Sequence, residues 1–208
     1  MSANPKTKTL RWFLFGVAAS IILAIIVIVV VFPPCFFSAW YDTKTTVLLV
    51  RHAEKVTRTM ADDHERPLCN PFGTDRAREL AHVAGGAGVN VIYHTEFLRT
   101  QQTIGPLDDA VSGNTTQSYR ANDVQALARD ILDHHRGEVV VVAGHGNTVP
   151  QTIEALGGPR LPDIADDDYD NLYVVTVTCA CGTRLTQLQY GRTSPLTPDE
   201  ARQCVGEN

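Results

Sequence analysis

The run Val139-Val140-Val141-Val142-Ala143, followed at once by Gly144-His145-Gly146-Asn147-Thr148, decides how this chain folds. Four valines and an alanine in succession leave no polar face, the pattern of a strand buried on both sides of a sheet. A helix is expected to follow from about Thr148 to Leu156, stopped by Gly157-Gly158-Pro159. The same pattern recurs upstream. Thr45-Thr46-Val47-Leu48-Leu49-Val50 is a continuous β-branched and apolar run that gives way to Arg51-His52.

The segments between these runs complete the pattern. Val89 to Tyr93 reads as a further short strand, and Tyr119 to Asn122 is expected to leave a short strand beside the ligand-binding edge. Residues 73–85 set Ala77, Leu80, Ala81 and Ala84 at helical spacing, and 123–134 do the same with Val124, Leu127, Ala128, Ile131 and Leu132. A helix over 97–107 is expected to break near Gly105-Pro106. Leu172 to Thr178 and Leu185 to Tyr190, with a turn at Cys181-Gly182, read as a hairpin. Strands alternating with helices predict an α/β domain, three-layer α/β/α with a mostly parallel sheet. Ligands of such sheets bind beyond the carboxyl ends of the strands.

The first 40 residues differ from the rest. No charged residue lies between Trp12 and Tyr41, and Phe13 to Phe32 is almost wholly apolar. About 20 helical residues rise roughly 30 Å, enough to cross a bilayer core. A soluble core helix of that length would show a polar face. A cleaved signal peptide would have a shorter apolar region and a small-residue cleavage site, and none follows Phe32. The expectation is an uncleaved signal anchor over residues 12–34. Lys6, Lys8 and Arg11 hold residues 1–11 in the cytoplasm and leave the domain, 41–208, outside the cell membrane, in a periplasmic or extracellular position. The net charge of -5 argues against nucleic acid as a partner. Five cysteines fit an oxidising compartment. Four of them lie in the domain and permit three pairings, among which sequence does not choose. Cys179-Ala180-Cys181 lacks a second Cys or His pair and reads as structural, so no metal or other cofactor is expected.

The chemistry lies where the strands end. Val50 leads into Arg51-His52-Ala53-Glu54-Lys55, Ala143 into Gly144-His145, and Tyr93 into His94-Thr95, with Arg99 in the first turn of the next helix. Arg51, His52, Arg99 and His145 are therefore expected to converge on one crevice. Two guanidinium groups and an imidazole match the equatorial oxygens of a phosphoryl group. The helix start after His145 adds amide donors. A neutral imidazole at the centre can attack phosphorus and form a phosphohistidine that water then hydrolyses. An isolated Arg-His pair would mean little. The ordered set, each member at the right end of a strand, carries the reading.

With these pieces in order over about 100 residues, the domain resembles the histidine phosphatase superfamily, the phosphoglycerate-mutase-like fold. The matching segments are Leu49 to Lys55, Leu68 through Gly73 to Ala77, Ile92 to Thr95 with Arg99 to Thr103, and Val142 to Pro150. The resemblance implies that His52 is the phosphorylated nucleophile and that Arg51, Arg99, His145 and Asn147 bind the phosphate. It also implies that the second nitrogen of His52 is bonded to a backbone carbonyl. Relatives more often carry glycine where this chain has Ala53.

Many relatives place a carboxylate between the second arginine and the second histidine to protonate the leaving oxygen. Asp108, Asp109 and Asp123 are the candidates here. Asp123 is preferred, although Asn122 or Asp123 would serve equally well as a helix N-cap. Glu54 is the fallback. The five aspartates of Asp163 to Asp170 lack the spacing of a calcium loop and read as a solvated loop limiting access to the crevice. The expected function is metal-independent hydrolysis of an extracytoplasmic phosphomonoester, carried by a small molecule or a protein. A protein phosphohistidine phosphatase, a phosphomutase and a noncatalytic phosphate-binding domain are the alternatives.

Overall fold

The computed structural model describes residues 43–58, 60–178 and 182–205, together with Ser20. The expected anchor over 12–34, apart from Ser20, and the Cys179-Cys181 pair lie outside the described residues. Among the described residues no helix is long and apolar enough to cross a membrane.

Six strands form one sheet: β1 (Thr45–Arg51), β2 (Val89–Thr95), β3 (Thr115–Tyr119), β4 (Val139–Gly144), β5 (Asn171–Thr178) and β6 (Gly182–Gln189), in the order β3-β2-β4-β1-β5-β6. The valine run occupies β4, between β1 and β2, and both pairings are parallel. β3 adds in parallel to β2, whereas β5 and β6 add as an antiparallel hairpin beyond β1. The sheet is thus mixed, and the mostly parallel expectation holds for its β3-β2-β4-β1 half. Too few residues separate β5 from β6 for a crossover, so β6 returns antiparallel to β5, and the pair lies antiparallel to β1.

Helices α1 (Phe72–Ala84) and α2 (Leu98–Ala110) cover one face, where Leu80, Ile104 and Leu107 meet Leu48, Val50, Ile92 and Val141. Helices α3 (Val124–His134) and α4 (Thr148–Ala155) cover the other, where Leu127, Ile131, Val149 and Ile153 meet Val47, Leu49, Val140 and Val142. Alternate residues of β1 and β4 thus feed opposite cores, which is why neither strand shows a polar face. Burying each such side chain contributes about 1.5–3 kcal/mol.

Helix α2 does not break at Gly105-Pro106 but runs through Pro106 to Ala110. A mid-helix proline costs about 3 kcal/mol by losing a hydrogen bond and crowding the preceding turn. Ile104 and Leu107, both buried against the sheet, offset that cost by holding the last turn in place. Helix α5 (Pro198–Gln203) was not anticipated, although Thr197-Pro198-Asp199-Glu200 carries its signal. Thr197 and Glu200 form a reciprocal capping box with proline at the first helical position.

Helix α5 leads to Cys204, which is disulfide-bonded to Cys69, 135 residues away. The Cys204 carbonyl also accepts from the Thr57 amide (2.8 Å) and hydroxyl (3.3 Å). Lys55 and Leu68 form an antiparallel bridge, with the Val56 amide donating to the Pro67 carbonyl at 3.0 Å. The excursion between them is therefore closed at its base and fastened to the C-terminal segment. Constraining so long a loop stabilises the fold by up to about 5 kcal/mol on the chain-entropy account.

Candidate active site

Register brings the two histidines together. Arg51 pairs with Gly144 across β1 and β4, so His52 and His145 leave adjacent strands side by side, and the His52 amide donates to the Gly144 carbonyl at 2.9 Å. Their ring centroids are 5.5 Å apart. His94, on β2, pairs with Ala143, which brings Thr95 and the start of α2 to the same edge. Arg51, His52, Arg99, His145, Asn147 and Thr148 line one open cavity of about 1020 Å³.

His52 is buried, and its Nδ1 lies 2.8 Å from the Ala53 carbonyl oxygen. A carbonyl only accepts, so Nδ1 carries the proton and the lone pair resides on Nε2. The Ala53 amide donates to Thr103 Oγ1 at 2.9 Å, which fixes the peptide that fixes the ring. Burial holds the pKa of His52 well below 6.5; the Ala53 bond opposes this, and Arg51, Arg99 and His145 reinforce it. For His145 burial, then Arg99, Lys55 and Arg51, lower the pKa to about 4. His145 Nε2 lies 3.0 Å from Thr95 Oγ1, and Phe97 packs edge-on to its ring at 4.7 Å.

Backbone carbonyls, a carboxylate and aromatic rings hold the arginines in place. Arg51 donates through Nη1 to the Ala165 and Asp168 carbonyls, and its guanidinium stacks 4.4 Å above Tyr169. Arg99 donates to the Asp63 carbonyl (2.8 Å) and carboxylate (3.0 Å) and stacks 4.4 Å over Phe97. In both, Nε is buried without a hydrogen-bond partner among the described residues. Two orphaned cationic donors in one cavity call for an anion. The amino-terminal amides of α4 stand at the same place, and Asn147 caps them with no side-chain bond. Gly146 permits the close approach of the 163–168 loop, since a Cβ there would meet the Ile164 carbonyl oxygen at 2.8 Å.

The candidate acids are placed differently. Asp123 takes the alternative role weighed for it: its carboxylate accepts from the Ala126 amide at 3.1 Å as the N-cap of α3. It is exposed and absent from the cavity lining, which includes its neighbours Ala121 and Asn122. Glu54 is buried and bound through both oxygens to Arg76. Asp108 bonds Asn114 and Thr116 beside β3. Asp123→Asn is expected to leave kcat on an alkyl phosphate within about twofold, because asparagine caps as well as aspartate. A fall of tenfold or more in steady-state phosphate release would return Asp123 to the mechanism.

Sequence reading did not single out Asp63, Thr95, Phe97 or Tyr169, and noted Lys55 only within its motif. Asp63 also reaches Arg66 (3.2 Å), and burial, which would raise its pKa, is outweighed by Arg99, Arg66 and Lys55. The low pKa of His52 has a kinetic consequence. Its attacking form persists in the free enzyme as pH falls through 6.5, so kcat/KM is expected to show no acid limb from His52 there, only one well below. A pH–rate profile with a limb near 6.5 would contradict this placement of His52.

No protein-family model matches the chain, and no curated protein matches it. Solved structures do. The chain is similar to the protein histidine phosphatase SixA, solved with tungstate, at 20% identity over 69% of this chain and 96% of that one, with a TM-score of 0.57. It is similar to the mycobacterial glucosyl-3-phosphoglycerate phosphatase at 13% identity, over 71% of this chain and 100% of that one, with a TM-score of 0.56. It is also similar to YhfR of Bacillus stearothermophilus, at 19% identity over 68% and 95%, with a TM-score of 0.54. These likenesses are of fold alone.

Proposed function

We propose that this chain is a metal-independent phosphohydrolase that works through a phosphohistidine on His52. The observation that carries the proposal is the pair of buried Nε donors of Arg51 and Arg99, unpartnered among the described residues, set beside an imidazole whose Nδ1 is tied to the Ala53 carbonyl. Nε2 of His52 attacks phosphorus, the bond from phosphorus to the ester oxygen breaks, and the departing oxygen takes a proton from water in the open cavity. A water molecule then attacks the phosphohistidine, releasing inorganic phosphate and restoring neutral His52. Arg51, Arg99, His145 and the amides at Asn147 and Thr148 hold the equatorial oxygens through both displacements.

The substrate is proposed to be an exported phosphomonoester, on a small molecule or a protein, with the enzyme tethered through residues 12–34. The apolar run in that segment and the Cys69–Cys204 disulfide support an oxidising, extracytoplasmic setting. The test is phosphate release from p-nitrophenyl phosphate by the full chain in detergent, with a chelator present. Chelator-resistant turnover is the expected result. Turnover abolished by the chelator and restored by a divalent metal would sink the metal-independent reading. Inactivity of the folded protein on this and a panel of phosphomonoesters would favour a phosphate-binding role.

A further inference from the structure

The cavity is much larger than a phosphate, and unmatched charges of both signs line it. Lys55 is half-buried, with no hydrogen bond or ion pair among the described residues. Its surroundings are Arg99, Asp63, Arg66 and Arg51, and the one carboxylate among them, Asp63, is already bonded to Arg99 and 3.2 Å from Arg66. A half-buried ammonium beside committed cations lacks a counter-ion that the protein does not supply.

The 163–168 loop, whose Asp163 and Asp166 are exposed, is pinned to the start of α4 by the Ile164 amide, which donates to the Gly146 carbonyl at 2.9 Å. This carries Asp163 and Asp166 to the cavity wall. Asp163 makes no hydrogen bond or ion pair among the described residues, and Asp166 reaches only Arg51, at 3.6 Å. Carboxylates here repel a second phosphate and attract a cation. A neutral alcohol would satisfy neither sign.

We infer that this mouth selects phosphomonoesters of a zwitterionic alcohol, the substrate's carboxylate meeting Lys55 and its ammonium meeting Asp163 and Asp166. The inference rests on reading the cavity as a phosphohydrolase site and names the substrate class of that site. The orphaned arginine donors take the phosphate, and Lys55 and the two aspartates read the charges next to it.

The test compares four compounds on the full chain in detergent: phosphoserine, phosphoethanolamine, phosphoglycolate and glycerol phosphate. They carry both charges, the ammonium alone, the carboxylate alone, and neither. Phosphoserine is expected to have the highest kcat/KM, with roughly a three- to tenfold loss for each missing charge, and the preference should shrink as salt is raised. Lys55→Met should lower phosphoserine and phosphoglycolate and spare phosphoethanolamine. Asp163→Asn with Asp166→Asn should lower phosphoserine and phosphoethanolamine and spare phosphoglycolate. Equal loss on all four compounds in Lys55→Met would show that Lys55 holds the transferred phosphate, and would overturn the inference. So would glycerol phosphate turned over as well as phosphoserine. Calorimetric binding of the four to His52→Ala reads the same preference without turnover. If that order of affinity persists while no compound is hydrolysed by the wild type, the phosphohydrolase reading fails, and with it the substrate class, leaving the mouth's charge preference as one of binding only. Hydrolysis of p-nitrophenyl phosphate with no order of affinity keeps the phosphohydrolase reading and overturns this inference.

Discussion

Replacing His52 by alanine is expected to lower phosphate release from p-nitrophenyl phosphate by roughly a thousandfold or more, with phosphate still bound. Removing a nucleophile removes the two-step path, and what remains is the stabilisation that the pocket gives to direct attack by water. A thousandfold corresponds to about 4 kcal/mol of barrier. Phosphate affinity should change little, because Arg51, Arg99 and the amides at the start of α4 remain. That separation of turnover from binding is the signature to look for. An acid-labile phosphoryl group found on the wild type after rapid quenching, and missing from His52→Ala, would identify the intermediate. Turnover that survives in His52→Ala would refute the role given to His52.

Arg76→Met is expected to cost about 3–5 kcal/mol of stability. Arg76 and Glu54 are both buried, and Arg76 also donates to the Tyr190 and Arg192 carbonyls at 2.9 and 2.7 Å. Removing the guanidinium strands a buried carboxylate and leaves two carbonyls short of a donor. The midpoint of thermal unfolding should then fall by about 6–20 °C for a domain of this size. Replacing Glu54 by Leu together with Arg76→Met should recover much of that loss, since a buried ion pair is worth little against an apolar pair of similar shape. A single variant within 1 °C of the wild type would mean that the pair does not hold this region together.

The pair also reaches the site. Glu54 lies two residues after His52, its carbonyl accepts from the Cys69 amide at 2.7 Å, and Gly73 packs against it so closely that a Cβ would sit 2.1 Å from that oxygen. Glu54 therefore fastens the backbone leaving the nucleophile to α1 and to the disulfide-bonded loop. The sequence-level view of Glu54 as a reserve acid is replaced by this anchoring role, because both its oxygens are bonded to Arg76.

What the sequence by itself determined was everything written in short periods. The β-branched runs of β1 and β4, the 3.6-residue spacing of α1, α3 and α4, and the placing of His52 and His145 just past strand ends all follow from local pattern, since backbone geometry repeats within a few residues. What only the tertiary structure decided was partnership across distance. Asp63 on Arg99 spans 36 residues, Glu54 on Arg76 spans 22, and Cys69 with Cys204 spans 135. No window of sequence contains such pairs, because they are chosen by which loops the packed sheet brings together. Asp123 shows the same limit at short range. An aspartate at that position can cap a helix or face a ligand, and the path of the chain after β3 turned it to the Ala126 amide.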